Sequence, residues 1–392
     1  MEGSALATNQ SEEAMKPICM QQSGETKLYP VVVYCGSMFA IASTLENGFL
    51  FYVLLHQPKR WNSYMHYLIL MAFFDGLLSL FYIPLIVVDQ VKDRWDSLLL
   101  TRLWWSWFKE LMTICHVCMS ASAFLMLAAA FERYLVTAKS RLYRWVNRNR
   151  ALLSLTAIIS ALFLKAPIWV EMELLNNGPN CTGRKASYVQ LTPVVGTFYY
   201  GTLYRFWVRN IFTVFVPFVL LAYYNVRIVH ILRGQQRAAT LFRFAKTDHK
   251  VMVRSASRSM VIVVCTYLIS NILNVIVTTI EFLHQEILYD YPQLYFASTD
   301  IVSLLTILAC ALRLPIYLAC NKQLRTVLME KLPYMGLFDM SKAETMSLKP
   351  PKTEQKRRTG GVGTEFDRVI LFVATDLGPG RGKVIETKLY HI

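Results

Sequence analysis

The segment MTICHVCMSASAFLMLAAAFERY, residues 112–134, decides the fold. From Met112 to Phe131 it carries no Asp, Glu, Lys or Arg, and it closes on Glu132-Arg133-Tyr134. A helix crosses a bilayer with ~20 predominantly apolar residues. The run therefore reads as a membrane span with its charges at one edge, where they meet water.

Runs of similar length flank it on both sides. The seven spans read as about Tyr29 to Leu55, Met65 to Val88, Trp104 to Ala138, Ala151 to Met172, Phe206 to Leu232, Val251 to Leu283 and Leu294 to Cys320. The third is the least clean, because Lys109 and Glu110 sit near its start. Asp75 is read as the only carboxylate deep in a span. The expected fold is an all-α membrane protein, a seven-transmembrane-helix bundle.

Composition agrees. The 392 residues are 54% hydrophobic and 17% charged, with a mean hydropathy of +0.35. A soluble chain of this length needs more charge to cover its surface. The net charge of +15 does not point to nucleic acid, which requires basic residues on a soluble face. Here they cluster in the short gaps between spans and in the tail, so membrane lipids are the expected surroundings.

The gaps alternate in charge. Lys59 and Arg60 follow the first span, and Lys139, Arg141, Arg144, Arg148 and Arg150 follow the third. Arg233, Arg237, Arg243, Lys246, Lys250, Arg254 and Arg258 surround Asp248 after the fifth. The gap 284–293 holds Glu286 and Asp290 and no Lys or Arg. The positive-inside rule places the basic gaps in the cytoplasm and the N-terminus outside. The two Asn-x-Ser/Thr sequons, at Asn9 and Asn180, then both fall outside, where glycosylation occurs. No signal peptide precedes the first run, which is expected to act as its own uncleaved insertion signal. The expected location is the plasma membrane, crossed several times.

Of eight cysteines, Cys35, Cys115, Cys118, Cys265 and Cys310 lie in apolar runs and read as small buried hydrophobes. Cys115-His-Val-Cys118 is a CxxC by letter only, and neither metal nor cofactor is expected. Cys19 and Cys181 are the cysteines assigned to external segments outside the spans. Two thiols on an oxidising side tend to pair, so a Cys19–Cys181 bridge is one reading and a free Cys19 on a disordered arm is the other.

After the last span, Leu324, Val327, Leu328 and Met329 share one face, with Lys322, Arg325 and Lys331 beside them. This suits a short amphipathic helix on the inner leaflet; the alternative is the start of a disordered tail. The expected organisation is an extracellular segment over 1–28, a seven-span domain over 29–320, a membrane-surface helix over 321–335 and a largely disordered cytoplasmic tail over 336–392. The apolar Val369-Ile-Leu-Phe-Val-Ala is too short to span, and its role is open.

Seven spans with Glu132-Arg133-Tyr134 ending the third resemble the rhodopsin-like (class A) G-protein-coupled receptors. In that family the triplet holds the resting state, and the Arg then meets the G protein. Asn47, Asp75 in Met71-Ala-Phe-Phe-Asp75, Ser122, Pro217 and Tyr317 match the family's positions by spacing. The resemblance covers roughly residues 30–335. Departures are Arg313-Leu-Pro-Ile-Tyr317 in place of Asn-Pro-x-x-Tyr, Ser270-Asn271 in place of Cys-Trp-x-Pro, a fourth span without a central Trp, and Phe108 in place of a disulfide cysteine. The family's Asp, Ser and seventh-helix Asn surround a sodium ion, and by spacing Arg313 takes the Asn position. One reading is a direct Asp75–Arg313 ion pair, and the other turns Arg313 toward another helix.

The fifth and sixth spans look like those of invertebrate FMRFamide-type neuropeptide receptors and the related nematode chemoreceptor-like branch. Cys115 stands where amine receptors carry an Asp, and residues 295–319 lack the Lys that opsins need. The resemblance implies a pocket stripe of Met112, Cys115, His116 and Met119; His116 is read as a satisfied buried histidine or a ligand contact. The outer rim is read as mixed in charge: Glu171, Glu173, Glu281, Glu286, Asp290 and Asp300 against Arg184, Lys185, Arg205 and Arg209. Glu281 or Asp300 is expected to bind a ligand guanidinium. The leading reading is a neuropeptide receptor acting through heterotrimeric G proteins. The alternatives are a chemosensory receptor for a small molecule and, more remotely, a transporter. An enzyme would need facing catalytic groups within the spans, and none is evident.

Overall fold

A computed structural model of the chain describes residues 28–56, 65–176, 187–241, 248–283, 292–321, 324–326 and 328. The chain divides into two units, Met1–Tyr334 and Met335–Ile392, and the second lies outside the described residues.

The first unit carries seven helices long and apolar enough to cross a membrane. They are α1 (Val31–Leu55), α2 (Met65–Arg94), α3 (Leu98–Thr137), α4 (Arg150–Glu171), α5 (Phe198–Gln235), α6 (Asp248–Leu283) and α7 (Pro292–Cys320). A short helix, Tyr143–Arg148, lies between α3 and α4. After α4, β1 (Met172–Asn176) and β2 (Ser187–Leu191) pair antiparallel, with Leu174 opposite Val189.

Packing closes a ring. α1 lies against α2 and α7, α2 against α3, α5 against α6, and α6 against α7, while α3 touches α2, α4, α5 and α6. α3 is thus the axis of the bundle. The main apolar core sits toward the Arg133 end, built on Leu50, Leu54, Tyr67, Met71, Leu125, Met126, Leu221 and Val263. Outside the ring, Tyr34, Phe163 and Ile269 are at least 70% exposed. Apolar side chains turned outward suit helices whose surroundings are lipid.

Three helices differ in extent from the hydropathy reading. α3 starts at Leu98 rather than Trp104, because Ser97 caps it by accepting from the Leu100 amide at 3.4 Å. α2 continues past Val88 to Arg94, where Lys92 pairs with Asp89 at 2.9 Å and lies 4.7 Å from the Trp104 ring centre. α5 starts at Phe198 rather than Phe206. Its polar first turns find partners on α4: Tyr204 donates to the Phe163 carbonyl at 2.8 Å, and Tyr200 to Glu171 at 3.0 Å. A hydropathy threshold misses a polar stretch whose polar groups are satisfied by a neighbouring helix.

At the end opposite Arg133, Trp104 donates its indole N–H to the Leu85 carbonyl at 2.9 Å, and Phe108 packs on Trp104 with ring centres 4.5 Å apart. An aromatic cluster therefore stands at Phe108. Lys109, 4.2 Å from the Trp169 ring centre, joins α3 to α4 at the same level. Beyond α7, the Asn321 side chain accepts from the Leu324 amide at 3.2 Å, and residues 324–326 and 328 are helical. Leu324 and Leu328 are fully buried in the main core; the rest of the expected surface helix, residues 322–323, 327 and 329–335, lies outside the described residues.

Candidate functional site

Polar side chains gather at three levels of the bundle. At the Arg133 end, Glu132 and Arg133 are both buried on α3. The Glu132 carboxylate is forked by Arg150, the first residue of α4, with Nε donating to Oε2 at 2.9 Å and Nη2 to Oε1. Bidentate pairs of this kind fix orientation as well as charge. Sequence reading assigned Arg150 to a solvated gap; it is buried instead and joins α3 to α4. Arg133 lines a small cavity with Tyr67, Ser259, Tyr317 and Asn321. Tyr134 stacks on Tyr224 of α5, ring centres 5.5 Å apart.

At mid-depth, Asp75 of α2, Ser122 of α3 and Arg313 of α7 meet. The Ser122 hydroxyl donates to Asp75 Oδ1 at 2.7 Å. Arg313 Nη1 donates to Asp75 Oδ2 and, at 3.1 Å, to Ser122 Oγ. Asn47 of α1 joins through backbone: its amide donates to the Ser43 carbonyl at 2.9 Å and to the Cys310 carbonyl of α7 at 3.4 Å. Ser43 Oγ and Ser79 Oγ lie 2.7 Å apart, and Ser79 donates to the Asp75 carbonyl at 2.7 Å. The structure thus brings Asn47, Asp75, Ser122 and Arg313 into one network across four helices, with Tyr317 below it in the Arg133 cavity. Asp75, Ser122 and Arg313 also line a second cavity with Met119, Tyr267, Ser270 and Asn271.

Toward the hairpin end, the stripe Met112, Cys115, His116 and Met119 divides between two environments. Cys115 is buried in the apolar cluster of α1, α2 and α7, with Met112 and Met119 packed against it. Met119 also lines the Arg313 cavity. His116 faces the other way, where the charges of Lys165 and Arg209 act on its ring. Asp300 of α7 acts electrostatically on Tyr82 and Asp89 of α2. Glu281 falls in the last turn of α6, with its side chain outside the described residues. Asn9, Cys19, Asn180 and Cys181 also lie outside them.

Two corrections concern charge. Asp75 is not the only carboxylate deep in a span: Glu46 lies in the middle of α1. Nor do Glu171 and Arg209 form a solvated rim. Arg209 Nη1 donates to Glu171 Oε1, and Arg205 Nε lies 3.2 Å from Oε2. Lys165, which the sequence reading passed over, is buried among them. The signal was present: a Lys inside the apolar run Ala161-Leu-Phe-Leu-Lys165-Ala-Pro-Ile is as conspicuous as Asp75 in its own span.

Residues 46–312 match the sequence model of a family described as "7 transmembrane receptor (rhodopsin family)". No curated protein matches the chain.

Proposed function

The chain belongs to the rhodopsin family of seven-transmembrane receptors, and on that premise we propose that it is a neuropeptide receptor of FMRFamide-like specificity. The family makes it a multi-pass membrane protein that receives an extracellular ligand and signals through a G protein; such receptors are not enzymes. In our reading the chain sits in the plasma membrane with its N-terminus and hairpin end outside. Glu132, Arg133 and Tyr134 then face the G protein. Asn9 and Asn180 are glycosylated, and Cys19 and Cys181 form a bridge across the pocket mouth.

One observation carries the peptide reading. Asp300 of α7 and Asp89 of α2 lie within electrostatic reach of each other at the hairpin end, with Asp93 acting on Asp89 as well. Lys92 pairs with Asp89 and Asp93, at 2.9 and 3.1 Å. A carboxylate at a pocket mouth attracts a guanidinium, which it binds in bidentate fashion. Asp300 is the contact we assign to a ligand Arg, with Glu281 the second acid on the neighbouring helix.

The test is a calcium and cAMP response in cells expressing the full chain, challenged with peptides ending in Arg-Phe-amide. Expected is a response whose potency falls at least tenfold in Asp300→Asn. Charge reversal at both Glu281 and Asp300 without change in potency rejects the guanidinium contact. A response to small odorants and to no peptide rejects the peptide reading in favour of a chemosensory one.

A further inference from the structure

The α3–α4–α5 face of the bundle holds more cations than it can pair. Around the carboxylate of Glu171, at the end of α4, the cations are Lys165 on α4 and Arg205 and Arg209 on α5. That carboxylate is already engaged by other partners: Oε1 accepts from Arg209 and, at 3.0 Å, from Tyr200, while Oε2 lies 3.2 Å from Arg205 Nε. Lys165 is left over. It is only 7% exposed, and among the described residues it has neither hydrogen bond nor ion pair. The charges that act on it are Arg209, a like charge, and the already engaged Glu171.

An ammonium taken out of water without a counter-charge is costly, and within a membrane span it marks a ligand path more often than a structural device. A second orphan lies beside it. His116 Nδ1 on α3 is enclosed and has no hydrogen-bond partner among the described residues. The charges acting on that ring are Lys165 and Arg209, so an enclosed ring nitrogen and an unpaired ammonium address the same region between α3, α4 and α5. Among the described residues neither group finds a hydrogen-bond partner, and an oxyanion is an acceptor for the donors of both.

We propose that this region is an anion subsite, in which a carboxylate of the ligand is held by Lys165 with His116 as its second contact. The inference rests on the reading that the ligand enters at the hairpin end. It adds an anionic contact on the α3–α4–α5 side to the cationic one assigned to Asp300 on the α2–α7 side. The ligand is then dipolar: a guanidinium from its Arg and, because its C-terminus is amidated, a carboxylate from an Asp or Glu side chain. Arg209 and Arg205 already serve as the counter-charges of Glu171. Lys165 is the cation of this group without a carboxylate of its own among the described residues.

The experiment needs no knowledge of the natural ligand. The full chain is purified in detergent, and thermal unfolding is followed with 3-phenylpropionate, with 3-phenylpropionamide of the same shape, and with sodium chloride at matched ionic strength. Expected is a Tm rise of roughly 2–4 °C with the acid, corresponding to ~1 kcal/mol of linked binding, and little with the amide or the salt. In Lys165→Met the unliganded Tm rises, because an uncompensated ammonium has gone, and the acid shift is lost. Lys165→Arg retains the shift. Equal shifts from acid and amide, an equal shift from chloride, an undiminished acid shift in Lys165→Met, or a lower unliganded Tm in that variant each overturns the proposal. Silence toward amidated peptides with the acid shift intact would sink the peptide reading and leave the subsite standing.

Discussion

The Arg313 guanidinium of α7 bonds the Asp75 carboxylate of α2 and the Ser122 hydroxyl of α3 together, all three buried in the bundle. Counted back from Tyr317, Arg313 falls where the resemblance would expect the seventh-helix Asn. A fixed guanidinium supplies the positive charge that Asp75 requires, and it does not deprotonate at any physiological pH.

The first prediction follows from that pair. Asp75→Asn and Arg313→Gln each strand a buried charge and should cost about 3–5 kcal/mol. The charge-swapped double variant, Asp75→Arg with Arg313→Asp, should recover part of the loss. Thermal unfolding of purified receptor measures both. Agonist affinity should also change little between sodium and choline buffers; a strong sodium dependence would count against the pair as the resident counter-charge.

A second prediction concerns the Glu132–Arg150 fork. Arg150→Met leaves the Glu132 carboxylate buried and unpaired, and should lower stability by about 3–5 kcal/mol. Glu132→Gln combined with Arg150→Met removes both charges and should be milder than Arg150→Met alone. A double-variant cycle on Tm reads the coupling. Additive losses would mean that the two side chains do not act as a unit.

The third concerns coupling. Arg133→Ala should abolish ligand-evoked signalling while leaving surface expression largely intact, since the Glu132–Arg150 pair that ties α3 to α4 is untouched. Second-messenger output at matched surface levels is the measurement. Normal signalling would remove Arg133 from the coupling role.

The fourth concerns the pocket mouth. Phe108 packs with Trp104 in an aromatic cluster, so in our reading Cys181 is left to pair with Cys19. Non-reducing peptide mapping of surface receptor should recover the Cys19–Cys181 peptide pair. Ready alkylation of Cys19 in intact receptor would reject the bridge.

By itself the sequence determined the seven-helix architecture, because span length and apolar content are set by the bilayer and need no partner to be read. It also pointed to Asp75 and Arg313, since a charge inside an apolar run is conspicuous wherever it faces. Other features needed the tertiary structure. Whether a charge is solvated or buried depends on what the next helix brings: Arg150, Glu171 and Arg209 read as edge charges and proved to be buried ion pairs. The polar first turns of α5 fail any hydropathy test, yet they are helical because α4 supplies Glu171 and the Phe163 carbonyl. The stripe from Met112 to Met119 is regular in sequence, but a helix at the centre of a bundle meets a different neighbour on each face. Those neighbours assign Met112, Cys115 and Met119 to one apolar cluster, whose Met119 also reaches the Arg313 cavity, and His116 to the field of Lys165.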